Sequence, residues 1–162
     1  MFSFALSGDD ALLTRLDAFP DALQTALSAK AATLALALAD TIRLDKLSGQ
    51  VLAARSGALR DSIAAEVAAE GGTIVATVGS MGELKYAAIQ EYGGKTAAHE
   101  ILPVKARALA FVDGGATHFA RRVEHPGSLI PERSYLRATL DEQSDAIVAA
   151  LAATLEETWG QT

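Results

Sequence analysis

Residues 59–78 read LRDSIAAEVAAEGGTIVATV, and the fold class turns on them. Leu59, Ile63, Ala65 and Val67 share one side of an extended run, with Arg60, Ser62 and Glu66 on the other. After Glu70-Gly71-Gly72 the alternation resumes in Ile74, Ala76 and Val78. A period of two sends successive side chains to opposite faces, and a glycine pair between two such runs closes a β-hairpin. The spacing predicts a hairpin here, its first strand beginning near Leu59.

Upstream the period is helical. Leu23, Leu27, Leu34, Leu38 and Ile42 are spaced by four, seven, four and four, which draws an apolar stripe down one helix face. Before it, Ser7-Gly8-Asp9-Asp10 has the form of a capping box, in which a hydroxyl accepts from orphan backbone N–H groups. This predicts a short helix through Leu12, Leu13 and Leu16 ending at Phe19-Pro20. Pro20 then suits the first turn of a second helix, where no N–H is needed. Ser48-Gly49 predicts the stop, and residues 50–57, carrying Arg55, read as a loop. At the start of the chain Phe2, Phe4 and Leu6 alternate as a short strand would.

Downstream, a short helix is expected from about Gly82 to Glu91, ended by Gly93-Gly94. Ile101 to Val104 predicts a strand broken by Pro103, hence an edge or irregular pairing. Ala108–Val112 and Ala116–Val123 flank Asp113-Gly114-Gly115, a second hairpin signal. A loop follows His125-Pro126-Gly127, and Pro131 is expected to open a long C-terminal helix with Leu136, Leu140, Ile147, Leu151 and Leu155 on its apolar stripe. No repeat or low-complexity linker divides the chain. The expected fold is α+β, a small antiparallel sheet of hairpins packed against long N-terminal and C-terminal helices. One domain spans 1–162: helical over about 8–47, hairpins over about 58–124, and the last helix over about 131–158.

Composition narrows function. Of 162 residues 50% are hydrophobic, enough for one domain with a core. There is no cysteine, so disulfides and thiolate metal sites are ruled out. Lys and Arg number 14 against 20 Asp and Glu, a formal charge of −6, and such a chain is a poor non-specific ligand for DNA phosphates. No signal peptide is visible, and the run from Ala31 to Ala39 is shorter than the roughly 20 residues a bilayer span requires, so a soluble, cytoplasmically made chain without a membrane partner is expected.

No catalytic constellation stands out. His99-Glu100 and Glu124-His125 lack the i, i+4 helical spacing of metal ligands. No G-x-S-x-G elbow occurs. Gly93-Gly94-Lys95-Thr96 resembles the tail of a phosphate-binding loop, but it follows a helix where that loop must follow a strand. The acids at the helix ends (Asp9, Asp10, Glu156, Glu157) read as solvated faces. Arg121, Arg122, Arg133 and Arg137 fall within seventeen residues, a set suited to acids on a neighbouring subunit, to solvent or to phosphate. The chain is therefore expected not to be an enzyme and to need no cofactor or metal.

One block carries a resemblance. It runs from Tyr86-Ala87-Ala88-Ile89-Gln90-Glu91-Tyr92-Gly93-Gly94 through Ile101-Leu102-Pro103 and Leu109-Ala110-Phe111. It continues through Val123-Glu124-His125-Pro126-Gly127-Ser128 to Ile130-Pro131-Glu132-Arg133-Ser134-Tyr135-Leu136-Arg137, and Arg55 to Ile63 precedes it in order. Over roughly residues 50–145 this resembles the neck and tail-completion (virion morphogenesis, head–tail joining) proteins of tailed bacteriophages. Ser134-Tyr135 stands where that pattern more often has Pro-Phe, with the aromatic kept. The resemblance implies a structural virion protein, a ring and specifically a hexamer, made in the host cytoplasm and placed at the neck or the proximal end of the tail. Its partners would be copies of itself, the head–tail connector or stopper, and tail terminator or tail-tube proteins, with DNA passing through without specific binding. The alternatives are a terminator or stopper ring of the same region, or a cellular enzyme or regulator that shares the motifs by coincidence. Arg55, Tyr92, Arg121, Arg122, His125, Arg133, Tyr135 and Arg137 are the candidate interface residues.

Overall fold

The computed structural model describes residues 9–53, 56–70, 72–82 and 84–161. The expected strand at Phe2–Leu6, the capping hydroxyl of Ser7, and Arg55 lie outside the described residues. The fold is α+β, with long helices toward both chain ends and short antiparallel ladders between them. Its contacts divide it into two compact units, one of residues 1–84 with 134–162 and one of Lys85–Arg133.

The first unit is built on α1 (Asp9–Thr41) and α4 (Arg137–Gln161), which pack together. Helix α1 runs unbroken through Pro20, where the sequence predicts two helices. An interior proline forfeits one backbone bond and crowds the carbonyl four residues back. Here the segment before Pro20 is exposed, so water can take up the freed carbonyl, and Phe19 meets Trp159 of α4 edge-on at 5.0 Å between ring centroids. That tertiary contact overrides the local break signal.

After Thr41 the chain widens into a π-helical turn, Ile42–Gln50, that ends where Gly49 takes φ +134°, as Ser48-Gly49 predicts. Helix α2 (Ala58–Ser62) comes next, so strand β1 (Ile63–Glu70) starts four residues later than the pattern suggests. Leu59 and Ile63 are four apart, a spacing that fits a helical turn as well as a strand face. The Asp61 N–H donates to the Gly57 carbonyl at 2.8 Å, and Gly57 at φ +77° turns the chain into that helical turn. Strand β2 (Thr73–Ser80) pairs with β1 antiparallel, Glu70 opposite Thr73 through Ile63 opposite Ser80, and α1 packs on both strands.

The core of this unit gathers Leu38, Ala39 and Ile42 from the first helical stretch, Leu47 from the π turn, Ile63 from β1, and Tyr135 ahead of α4. Val51, Leu52, Leu59, Ala65, Val78 and Leu136 pack around them. Burying Leu38, Ile42, Leu47 and Ile63 contributes on the order of 10 kcal/mol before chain entropy is charged. Polar ties reinforce it: Lys46 Nζ reaches Glu142 at 2.7 Å, and the Gln143 amide donates to the Thr41 hydroxyl at 3.1 Å. Arg43 donates to the carbonyl of Ile63.

Pro131 does not open α4. Residues 129–133 are held otherwise, because Leu129–Ile130 form a strand and the Arg133 N–H donates to the Gln90 carbonyl at 3.0 Å. The Ser134 hydroxyl accepts from Ala138 N–H at 3.2 Å at the start of α4.

The second unit holds α3 (Lys85–Tyr92) and six short strands: β3 (Gly94–Lys95), β4 (His99–Ile101), β5 (Leu109–Asp113), β6 (Ala116–Ala120), β7 (Val123–His125) and β8 (Leu129–Ile130). They form three separate two-stranded ladders, β3 with β8, β4 with β7 and β5 with β6, where the sequence suggests one small sheet. The strand expected over Ile101–Val104 is His99–Ile101 and stops before Pro103, which has no N–H to pair. The run Ala116–Val123 splits at Arg121-Arg122 into β6 and β7. The two-residue turn Gly114-Gly115, at φ +58° and +84°, closes β5–β6, as glycines at both central positions allow. A further tight approach occurs at Gly127, φ +86°, where any Cβ would overlap the Thr96 carbonyl oxygen.

Candidate interaction surfaces

Apolar surface is what both units present. In the first unit a cleft of about 550 Å³ runs between α1, α4 and β2. Leu23, Leu27 and Leu34 of α1 line one wall, Leu140, Ile147 and Leu151 of α4 the other, and Ile74, Ala76 and Val78 of β2 the floor. The α1 stripe that the sequence shows is therefore buried at its C-terminal end, at Leu38 and Ile42, and half-buried at Leu23, Leu27 and Leu34. The segment Leu16–Gln50 is long and apolar enough, by length and composition, to cross a bilayer, which the apolar-run count in the sequence does not suggest. Only 17% of its apolar window is buried, and it packs against β1, β2 and α4.

The second unit has no buried hydrophobic residue among those described. Its hairpin β5–β6 is exposed almost throughout, Phe119 at 73% and Val112 at 71%. The register pairs Ala110 with Phe119 and Val112 with Thr117 on one face, and Phe111 with His118 on the other, where the two rings stack at 5.8 Å. Two-stranded ladders of this size are marginal in water without something to pack on.

The sequence-predicted candidates scatter. Tyr135 is 1% exposed and belongs to the core, so its ring is not available to a neighbour as the sequence reading supposes. Tyr92 is exposed, at 62%. Arg121, Arg122 and Arg133 are exposed on the second unit, whereas Arg137 opens α4 in the first, so the four arginines do not form one patch of one unit. Arg122 reaches Glu100 at 3.4 Å. His125 is half-buried and stacks on His99 with centroids 5.0 Å apart.

The paired histidines and the paired glutamates lie on opposite faces of the β4–β7 ladder. His99 pairs opposite His125, and Glu100 opposite Glu124, so neighbouring residues on each strand point to opposite faces. Nδ1 of His125 accepts from Gly127 N–H at 3.0 Å, and Nδ1 of His99 lies 3.1 Å from the Ala97 carbonyl. No group of three potential ligands occurs among the described residues. A polar hollow of the first unit is lined by Arg43, Leu44, Ser48, Arg60 and Asp61. Its guanidiniums are engaged, Arg43 with Asp40 at 3.1 Å and Arg60 with Asp61 at 3.0 Å, and the Ser48 hydroxyl donates to the backbone of its own helical turn.

Sequence reasoning makes the hairpins and the 50–57 loop the candidates for contacts with neighbours, and it does not reveal the cleft or which hairpin side chains are exposed. Phe111, Val112 and Phe119 were legible as strand residues, and their exposure was not. Leu140 and Leu155 were assigned to a core stripe, yet they are 48% and 45% exposed. Glu91, which sits inside the aromatic-Gly-Gly motif, is a carboxylate only 2% exposed, a position that depends on hydrogen-bonding partners. Comparison of the chain with protein-family models, with curated proteins and with solved structures returned no match.

Proposed function

We propose that this chain is a structural protein of a tailed-phage particle or a phage-derived one, forming a ring at the head–tail neck or at the proximal end of the tail. The observation that carries the reading is the ordered motif series from Arg55 to Arg137, described above as resembling neck and tail-completion proteins. The surfaces are consistent with that role, because each unit leaves apolar side chains uncovered where a subunit of a larger assembly would bury them. The cleft of the first unit is apolar on every wall, which suits a surface that a neighbouring protein covers.

In this proposal six copies surround the channel, contacting the connector or stopper on one side and terminator or tail-tube proteins on the other. The net charge of −6 suits a passage that DNA crosses without adhering. A terminator or stopper ring of the same region is the nearest alternative. The test is mass spectrometry of particles purified from cells that carry the gene. The chain is expected at a small, fixed copy number relative to the major capsid protein. Its absence from intact, tailed particles would refute the proposal.

A further inference from the structure

We propose that the β5–β6 hairpin of one copy seats in the α1–α4–β2 cleft of the next, joining copies head to tail; this deepens the ring reading and takes its assembly context from it. The two surfaces lie in different units, so each copy offers one hairpin and one cleft. Such an interface is heterologous, and it either closes into a ring or grows as a filament.

Size and chemistry match. The cleft walls from Leu23 to Leu38 and from Leu140 to Leu155 are each about 22 Å long at the helical rise. A five-residue strand pair is about 17 Å long, shorter than either wall. One hairpin face, with Ala110, Val112, Thr117 and Phe119, has no charged side chain and holds the two most exposed apolar residues of the hairpin. The opposite face carries Asp113 and His118 beside Leu109 and Phe111, so the charged groups of the hairpin strands lie on that side alone.

Charge favours the same partner. The arm around the hairpin, residues 104–122, carries Lys105, Arg107, Arg121 and Arg122 against Asp113, net +3. Helix α4 carries Asp141, Glu142, Asp145, Glu156 and Glu157 against Arg137, net −4, and the α1 segment from Leu16 to Thr41 carries Asp17, Asp21 and Asp40 against Lys30, net −2. A basic arm approaching a cleft with acidic helices is drawn in and oriented. A neutral lipid surface or a second cleft brought face to face has no such complement, and the latter would juxtapose like charges.

The chain has no cysteine, so paired single-cysteine variants report this contact cleanly. Phe119→Cys and Leu151→Cys proteins, mixed at high micromolar concentration and oxidised, are expected to give a mixed disulfide dimer. The double variant is expected to give a ladder of covalent multimers. Phe119→Asp, at an exposed site, is expected to keep the native circular dichroism and weaken self-association about thirtyfold, as loss of an interface anchor does. A cross-link confined within one chain, Leu151–Leu151 dimers alone, or partition onto phosphatidylcholine vesicles in place of cross-linking would each overturn the inference. So would a chain that stays monomeric and unlinked. If the ladder forms and the chain is missing from particles, the virion role fails and the joint stands. If the chain is in particles and no ladder forms, the joint alone fails.

Discussion

Ile63→Ala strikes the point where the first unit's helices and hairpin meet. Ile63 is fully buried, at 0% exposure, and its backbone carbonyl accepts from Arg43. Alanine removes three carbons, about 2.4 kcal/mol at the usual transfer value per methylene. The surrounding side chains come from α1, the π turn and the segment before α4, which are braced by Lys46–Glu142 and Gln143–Thr41. They cannot collapse fully, and a residual cavity of about 60 Å³ adds about 1.5 kcal/mol. The expected loss is therefore about 4 kcal/mol, a large share of a typical domain's stability. Urea unfolding followed by helical circular dichroism and by the fluorescence of Trp159, the one tryptophan, measures it. The control is Val75→Ala on β2, which is 53% exposed and should cost less than about 0.5 kcal/mol. The midpoint should fall with m unchanged. A loss below about 1 kcal/mol, indistinguishable from the Val75 control, would refute the placement of the core.

Gly127→Ala should disrupt the second unit selectively, because the added Cβ meets the Thr96 carbonyl and φ is +86°. Hydrogen exchange should accelerate in β3, β4, β7 and β8 while α1 and α4 keep their protection. Phe19→Ala removes the edge-on partner of Trp159; its emission should shift to the red, with a loss of about 1 kcal/mol in urea. Lys46→Ala should cost about 1 kcal/mol or less, since Glu142 is 58% exposed, and the effect should shrink in 1 M salt, measured by the same titration.

How much of this was legible in the sequence depends on which length scale decides each element. The β1–β2 hairpin and the α1 stripe were readable because period and turn chemistry agree there: Gly72 at φ +81° sits in the turn that Gly71-Gly72 announces. Local signals failed where a distant residue decides. Pro20 does not end a helix whose Phe19 is held by Trp159, and Pro131 does not open one whose neighbours are tied to α3. Leu59 was ambiguous by its spacing alone.

The division into two units was not legible, because Gly82 and Pro131 beside the links at Leu84–Lys85 and Arg133–Ser134 read as the starts of helices and not as the bounds of units. The candidate interface residues were chosen by type, and type does not report exposure. Tyr135 is core, while Phe119 and Val112, which resemble core residues, face water. Apolar periodicity reveals which side of an element avoids water and is silent on whether the same chain or another copy covers it.

The central claim is that this chain builds a ring at the head–tail joint, and an averaged cryo-electron-microscopy map of that joint in purified particles tests it most directly. The account expects a closed ring around the DNA channel whose repeating density holds two long packed helices and a projecting hairpin. A fully assigned neck and tail end, in which every ring belongs to other proteins, would contradict it.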